Sequence, residues 1–198
     1  IAAGIAQGLA FLHGRQPAIT HRDLKPENVL LAADRRSAKI ADLGLCRELS
    51  SDRLDVAAGV TPDIATPAFT APEAFGMSAE QYDERADIWS FGCLLACIHL
   101  ECKLPFEVPD HDSARLMLAT GMLKPSVPKS SPLHTLVRDA CQPVTLRPAA
   151  SALAAELLRK IDEAATSADD GFSSLHPEVR RRLHDEDGRS TSLTTSWP

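Results

Sequence analysis

Apolar residues recur at helical spacing from the first position of the chain. Ile1, Ile5, Leu9 and Leu12 fall on one face, with alanines filling the gaps between them. This predicts a helix that Gly14 and Pro17 bring to an end. No Ser, Thr, Asp or Asn stands ahead of Ile1 as a cap, so the expectation is a chain that starts inside a helix. Val29-Leu30-Leu31 and Ala38-Lys39-Ile40-Ala41 have the length and composition of short strands, and the polar run Ala33 to Ser37 supplies a turn between them. Residues 42–73 keep no period and are rich in Ser, Asp, Gly, Thr and Pro, and so long a structureless stretch inside a domain is normally functional.

From Asp83 to Leu100 the chain is apolar nearly all round, with Trp89 and Phe91, which predicts a central buried helix. Helices are also expected over His111–Thr120 and Leu133–Cys141. Pro148 suits the start of a further helix, and strong helix formers run over Ala149–Ala165. Beyond about residue 166 the chain turns polar, so residues 166–198 are expected to be a mobile tail, with one short helix near Pro177–Leu183. The pattern as a whole is a mainly helical domain over residues 1–165 with a small β-hairpin, and it shows no internal repeat.

Composition narrows the function classes. The chain has 198 residues, enough for one domain with a real core, and is 44% hydrophobic and 24% charged. A net charge of -6 argues against a general nucleic-acid binder, which needs a basic face. No apolar run is long enough to span a membrane, and Ile1-Ala2-Ala3-Gly4-Ile5 lacks the basic start of a signal peptide. Five cysteines at irregular spacing make a poor disulfide framework and fit a reducing compartment. Cys93, Cys97, His99 and Cys102 have spacing that suggests zinc, but they lie in an apolar helical run where buried free thiols are the expectation.

The chemistry gathers at His21-Arg22-Asp23-Leu24-Lys25-Pro26-Glu27-Asn28, with Ala41-Asp42-Leu43-Gly44 and Ala71-Pro72-Glu73 downstream. One short loop thus carries a candidate base, a cation and an amide able to ligate metal, and Asp42 adds a second metal ligand fourteen residues after Asn28. Phosphoryl transfer asks for such a set: a base for the attacking hydroxyl, a cation where charge accumulates, and oxygen ligands for magnesium.

In this order the motifs resemble the catalytic loop, the magnesium loop and the end of the activation segment of eukaryotic-type protein kinases. Gly8 to His13 is similar to the helix that leads into the family's catalytic loop, and Asp87-Ile88-Trp89-Ser90-Phe91-Gly92 to the core helix of its large lobe. The resemblance covers about residues 1–165 and implies a protein-kinase-like fold, C-terminal lobe without the N-terminal β-lobe. It implies Asp23 as base and Lys25 on the transferred phosphoryl. It implies Lys25, Asn28, Leu30 and Asp42 against ATP, and Asn28 and Asp42 as ligands of Mg2+. It implies His21 as a packed brace, Asp87 as the anchor of the loop backbone, and a buried pair between Glu73 and Arg147. Lys25 and Thr66 match the serine/threonine branch, so the implied partner is a protein substrate with a Ser/Thr acceptor. Arg22 beside Asp23 implies regulation through phosphate on the activation segment, with Ser50, Ser51 and Thr61 as acceptors and Thr61 best placed.

The pattern also departs from the family. No Gly-x-Gly occurs, the first lysine is Lys25 and the first glutamate Glu27, so the glycine-rich loop and the upstream Lys–Glu pair have no counterpart in these residues. A missing kinase N-lobe upstream is therefore expected, and the isolated chain is expected to be inactive. Leu43 stands where the family has Phe and is expected to pack as an apolar plug. Ala65 replaces a Gly, and Phe69-Thr70 an aromatic-Met pair. The alternatives are a non-catalytic kinase-like binding module and a phosphotransferase for a small molecule, the latter disfavoured by Thr66 and Ala71-Pro72-Glu73. The expected location is cytoplasmic, or the cytosolic side of a membrane protein if a membrane segment lies upstream. Elsewhere Asp34 and Asp83 are read as turn residues, Trp89 as core, and the run Arg180-Arg181-Arg182 as a solvated face.

Overall fold

Helix α1 runs from Ala2 to His13 and buries Ala3, Ile5, Ala6, Leu9 and Leu12, the apolar face expected from the spacing. The computed structural model describes residues 1–34, 36–48, 67–75, 83–101, 106, 113, 116–118 and 120–174. The chain divides into two units, Ile1–Leu157 and Leu158–Pro198.

In the first unit α1 rests on a hairpin. Strands β2 (Val29–Leu31) and β3 (Ala38–Ile40) pair antiparallel, with Val29 opposite Ile40, Leu30 opposite Lys39 and Leu31 opposite Ala38. Asp34 closes the turn: its Oδ1 accepts from the N–H of Arg36 at 2.9 Å and of Ser37 at 3.3 Å. A Cβ on Gly4 would stand 2.7 Å from the carbonyl oxygen of Ala38, so only glycine lets α1 approach β3 this closely. A second pair joins β1 (Ile19–Thr20) to β4 (Arg47–Glu48), with Ile19 opposite Glu48. It brackets the loop that follows β1.

Helix α2 (Arg85–His99) is the centre of the unit, and every residue from Ala86 to Cys97 is buried. Its aromatic and aliphatic side chains each contribute roughly 1.5–3 kcal/mol by leaving water. Helix α3 (His134–Ala140) crosses it at Gly92, where a Cβ would meet Cys141 Sγ at 2.5 Å and Ala140 Cβ at 2.9 Å. Ser90 stitches α2 to the segment after residue 66: its hydroxyl donates to the Phe69 carbonyl at 2.7 Å. Residues 113 and 116–118 are helical, within the helix expected over His111–Thr120.

Helix α4 runs from Ala150 to Ser174, well past the expected end at Ala165. Thr166, Ser167 and Gly171 are weak helix formers, but no proline interrupts the chain before Pro177, so the propagating helix meets no obligatory stop. Within the first unit α4 buries Ala150, Leu153, Ala154 and Leu157. The described part of the second unit is the helical stretch 158–174. Residues 175–198, with the helix expected at Pro177–Leu183, lie outside the described residues. No helix among the described residues is long and apolar enough to cross a membrane.

Candidate active site

The site is built around a carboxylate buried in α2. Asp87 is 1% exposed and lies in the helix's first turn, where the helix dipole favours a negative charge. Its Oδ2 accepts from the His21 N–H at 2.7 Å and lies 2.9 Å from His13 Nε2, while Oδ1 accepts from the Arg22 N–H at 2.9 Å. Arg22 has φ 73°, a left-handed conformation that costs a non-glycine residue about 1–3 kcal/mol. The carboxylate therefore holds the loop in a shape it would not keep alone. His21 braces the same turn from below. Its Nε2 lies 3.0 Å from the Ala41 carbonyl, which can only accept, and its Nδ1 accepts from the Asp23 N–H at 3.4 Å. Sequence spacing gave no sign of His13, which resembles any basic residue in the last turn of a helix.

Past that turn, three side chains meet. Lys25 Nζ lies 2.7 Å from Asp23 Oδ2, and both side chains are largely buried. Asn28 Nδ2 donates to the same Oδ2 at 3.0 Å and to the Asp23 carbonyl at 2.7 Å. These bonds are local products of the sequence: Pro26 starts a short 3-10 turn over Pro26–Asn28 that folds Asn28 back over Asp23. The amide NH2 of Asn28 is spent on Asp23, which leaves its carbonyl oxygen as the atom able to accept or ligate.

The hairpin brings Asp42 to this end of the unit. The Ala41 N–H donates to the Asn28 carbonyl at 2.9 Å, so Asp42 follows directly on the residue opposite Asn28. Asp42 is exposed and left-handed at φ 58°, and its Oδ1 accepts from the Gly44 N–H at 3.3 Å. Two oxygen donors, an amide carbonyl and a carboxylate, thus stand at one end of the hairpin. Both are hard donors of the kind magnesium prefers. Among the described residues no group of three or more His, Cys, Asp or Glu side chains could hold a metal. Cys93, Cys97 and Cys141 are buried free thiols, burial pushes Cys93 well up, and Cys102 lies outside the described residues. Beside the site, burial first, then the charges of Asp87 and Asp42, push the Cys46 thiol up to about 11.

Leu43 corrects the sequence reading. It is 56% exposed rather than packed as a plug, because it opens a 3-10 turn over Leu43–Leu45 that points its residues outward, and none of the three is buried. Leu30, expected against the nucleotide, is 60% exposed on β2.

A second buried ion pair lies below the site. Arg147 Nη1 donates to Glu73 Oε1 at 2.5 Å and Nη2 to Oε2 at 2.8 Å, a bidentate pair with both side chains 1% exposed. Two further donors are used: Nη1 reaches the Arg85 carbonyl at 2.9 Å and Nε the Gln142 carbonyl at 2.8 Å. The guanidinium stacks 5.3 Å from the ring centroid of Trp89. Arg147 therefore ties the segment of Glu73 to the start of α2 and to the chain after α3. Ser50, Ser51, Thr61 and Thr66 lie outside the described residues.

The family model for the protein kinase domain matches residues 1–170. Serine/threonine-protein kinase WNK4 of Rattus norvegicus is 47% identical over 92 residues, 46% of this chain and 7% of that protein. Serine/threonine-protein kinase WNK of Caenorhabditis elegans is 41% identical over 110 residues, 52% of this chain and 6% of its own length. The probable serine/threonine-protein kinase roco8 of Dictyostelium discoideum is 39% identical over 117 residues, 54% and 6%. The chain thus spans well under a tenth of the length of the curated relatives it matches. The mainly helical fold with its small sheets, the order of the motifs and the family match agree: the chain belongs to the protein kinase domain family.

Proposed function

We propose that residues 1–165 form the large lobe of a protein kinase domain and carry the phosphoryl-transfer end of an ATP-dependent reaction on protein Ser/Thr hydroxyls. The observation that supports this most is the sharing of Asp23 Oδ2 by Lys25 Nζ at 2.7 Å and Asn28 Nδ2 at 3.0 Å. These contacts aim the carboxylate and leave its Oδ1 without a partner among the described residues, ready to accept the proton of a substrate hydroxyl. Lys25, already beside Asp23, supplies a point charge to the transferred phosphoryl, so its contact with Asp23 is exchanged for one with phosphate. The carbonyl oxygen of Asn28 and the carboxylate of Asp42 are the groups that would hold Mg2+, which when bound neutralises the phosphate oxygens of ATP. Leu30 offers an open apolar face to the nucleotide.

Asp87 and His21 act by position. They hold the loop turn at Arg22, so that Asp23 enters the site at a fixed angle. Regulation belongs to the same reading: phosphate on Thr61, or on Ser50 or Ser51, pairs with Arg22 and raises activity. Residues 1–198 contain neither a glycine-rich loop nor a lysine ahead of Lys25, so as an isolated polypeptide they turn over negligibly.

The test is transfer of labelled phosphate from MgATP to a serine peptide, a tyrosine peptide and a small alcohol. It is run on residues 1–198 and on the product that includes whatever the native transcript encodes ahead of Ile1. The longer product labels serine, Asp23→Ala abolishes the signal, and the short chain gives none. Robust turnover by residues 1–198, or labelling by the longer product that survives Asp23→Ala, contradicts the proposal. Binding of MgATP by the longer product without any transfer would favour the binding-module reading instead.

A further inference from the structure

Away from the catalytic loop, a cavity of about 210 Å³ opens between the loop at residues 124–127 and α3. Its floor is apolar: Val127, Val137 and Cys141 are all buried. Its rim is not. Lys124 and Arg138 are exposed at the mouth, with Gln142 and His134 beside them. His134, Val137, Arg138 and Cys141 recur at i, i+3, i+4 and i+7, so one face of α3, with the Cys141 that caps it, supplies both floor and rim. The His134 Nδ1 lies 2.9 Å from the Val127 carbonyl, which holds the loop wall against the helix and keeps the cavity open in the free chain.

The charge is one-sided. No carboxylate lines the cavity among the described residues. Arg138 is partly answered by Asp139, whose Oδ1 accepts from its Nε at 2.8 Å, whereas Lys124 has no ion pair among the described residues. The surrounding sequence carries the same bias. From Ser113 to Arg138 there is no Asp or Glu, but there are Arg115, Lys124, Lys129 and Arg138, in a chain whose net charge is -6. A basic stretch in an acidic protein selects acidic partners and steers their approach.

The volume limits what enters. At about 210 Å³ the cavity is below the roughly 300–1,000 Å³ of a drug-sized ligand site and suits a single anchoring side chain. We propose that this cavity is a docking site for an acidic peptide segment of a protein partner. An apolar side chain fills the floor on Val127 and Val137, and a neighbouring carboxylate meets Lys124 and Arg138. The proposal uses none of the residues assigned to phosphoryl transfer, so its failure leaves that reading intact.

The test is titration of the whole chain with the blocked peptide acetyl-Leu-Asp-Leu-Glu-Leu-Asp-amide, read by backbone amide chemical shifts. Its controls are the Asn/Gln isostere of the peptide, an oligodeoxynucleotide of equal charge, and the variant Lys124→Gln/Arg138→Gln. Both substituted side chains are exposed, so the variant keeps its fold. The acidic peptide shifts amides of residues 124–127 and 134–142. The isostere and the double variant each bind on the order of ten-fold more weakly. Equal affinity for the isostere, unchanged affinity in the variant, tighter binding of the oligonucleotide, shifts confined to other residues, or no shifts at all would each overturn it.

Discussion

Asp87 and Arg22 are joined by a hydrogen bond of 2.9 Å in which a buried helix carboxylate accepts from the backbone N–H of a residue at φ 73°. The bond links the rigid centre of the unit to the turn that aims Asp23. Removing the carboxylate takes away the acceptor of the buried His21 N–H and of the half-buried Arg22 N–H. Asp87→Ala is therefore expected to destabilise the chain by about 3–5 kcal/mol in urea unfolding. Asp87→Asn keeps one acceptor oxygen, and is expected to cost less while still speeding hydrogen exchange at the Arg22 amide. Unchanged exchange there in Asp87→Asn would show that the turn holds itself.

The Glu73–Arg147 pair makes a different prediction. Among the described residues Glu73 is compensated by Arg147, and Arg147 by Glu73, two backbone carbonyls and the Trp89 ring, so breaking the pair from either side is costly. Glu73→Leu and Arg147→Met are each expected to lose about 3–5 kcal/mol. Glu73→Leu with Arg147→Met removes both charges and is expected to recover most of that loss, giving a strong coupling in a double-mutant cycle. Additive losses would mean that the two side chains act separately.

At the crossing of α2 and α3 the limit is space. Gly92→Ala forces a methyl group into Cys141 Sγ and Ala140 Cβ. A loss of about 1–3 kcal/mol is expected, as for other overpacked cores. Gly92→Ala combined with Cys141→Ala relieves the nearer clash and is expected to be milder than Gly92→Ala alone, as thermal unfolding would show.

Cys46 offers a pH readout beside the candidate site. With its thiol pushed up to about 11, alkylation by iodoacetamide is expected to be slow at pH 8 and to keep rising towards pH 11. Asp42→Asn removes one of the negative charges that oppose the thiolate, so the midpoint is expected to fall. The sign for stability follows. A thiol raised above its ordinary value of 9.0 contributes stability that is fully present below pH 9 and is lost as pH climbs through about 11. A Cys46 midpoint at or below 9 would refute this.

The elements most legible in the sequence were those with a long signal. Nearly continuous apolar residues from Ala86 to Cys97 can only be a helix buried on all sides, and the spacing of Ile5, Leu9 and Leu12 fixes the inner face of α1. The hairpin was visible because the polar run Ala33 to Ser37 separates two apolar runs. Strands β1 and β4 were not, since two residues each cannot show a period and their pairing is set by tertiary contacts. The far end of α4 was missed because weak formers do not stop a helix that has already nucleated. At the candidate site, residue types and order were legible at Asp23, Lys25, Asn28 and Asp42. The roles of His13 and the exposure of Leu43 were not, because each depends on which surface the fold turns towards solvent.

The most direct test of the account asks whether Asn28 and Asp42 grip a metal together. Mn2+ substitutes for Mg2+ and broadens the nuclear resonances of groups close to it. With ATP present, Mn2+ is expected to broaden the Asn28 side-chain amide and the backbone amides of Asp42 and Leu43 first, and Asp42→Asn is expected to abolish the effect. Broadening elsewhere in the chain, or broadening at Asn28 that is indifferent to Asp42→Asn, would contradict the account.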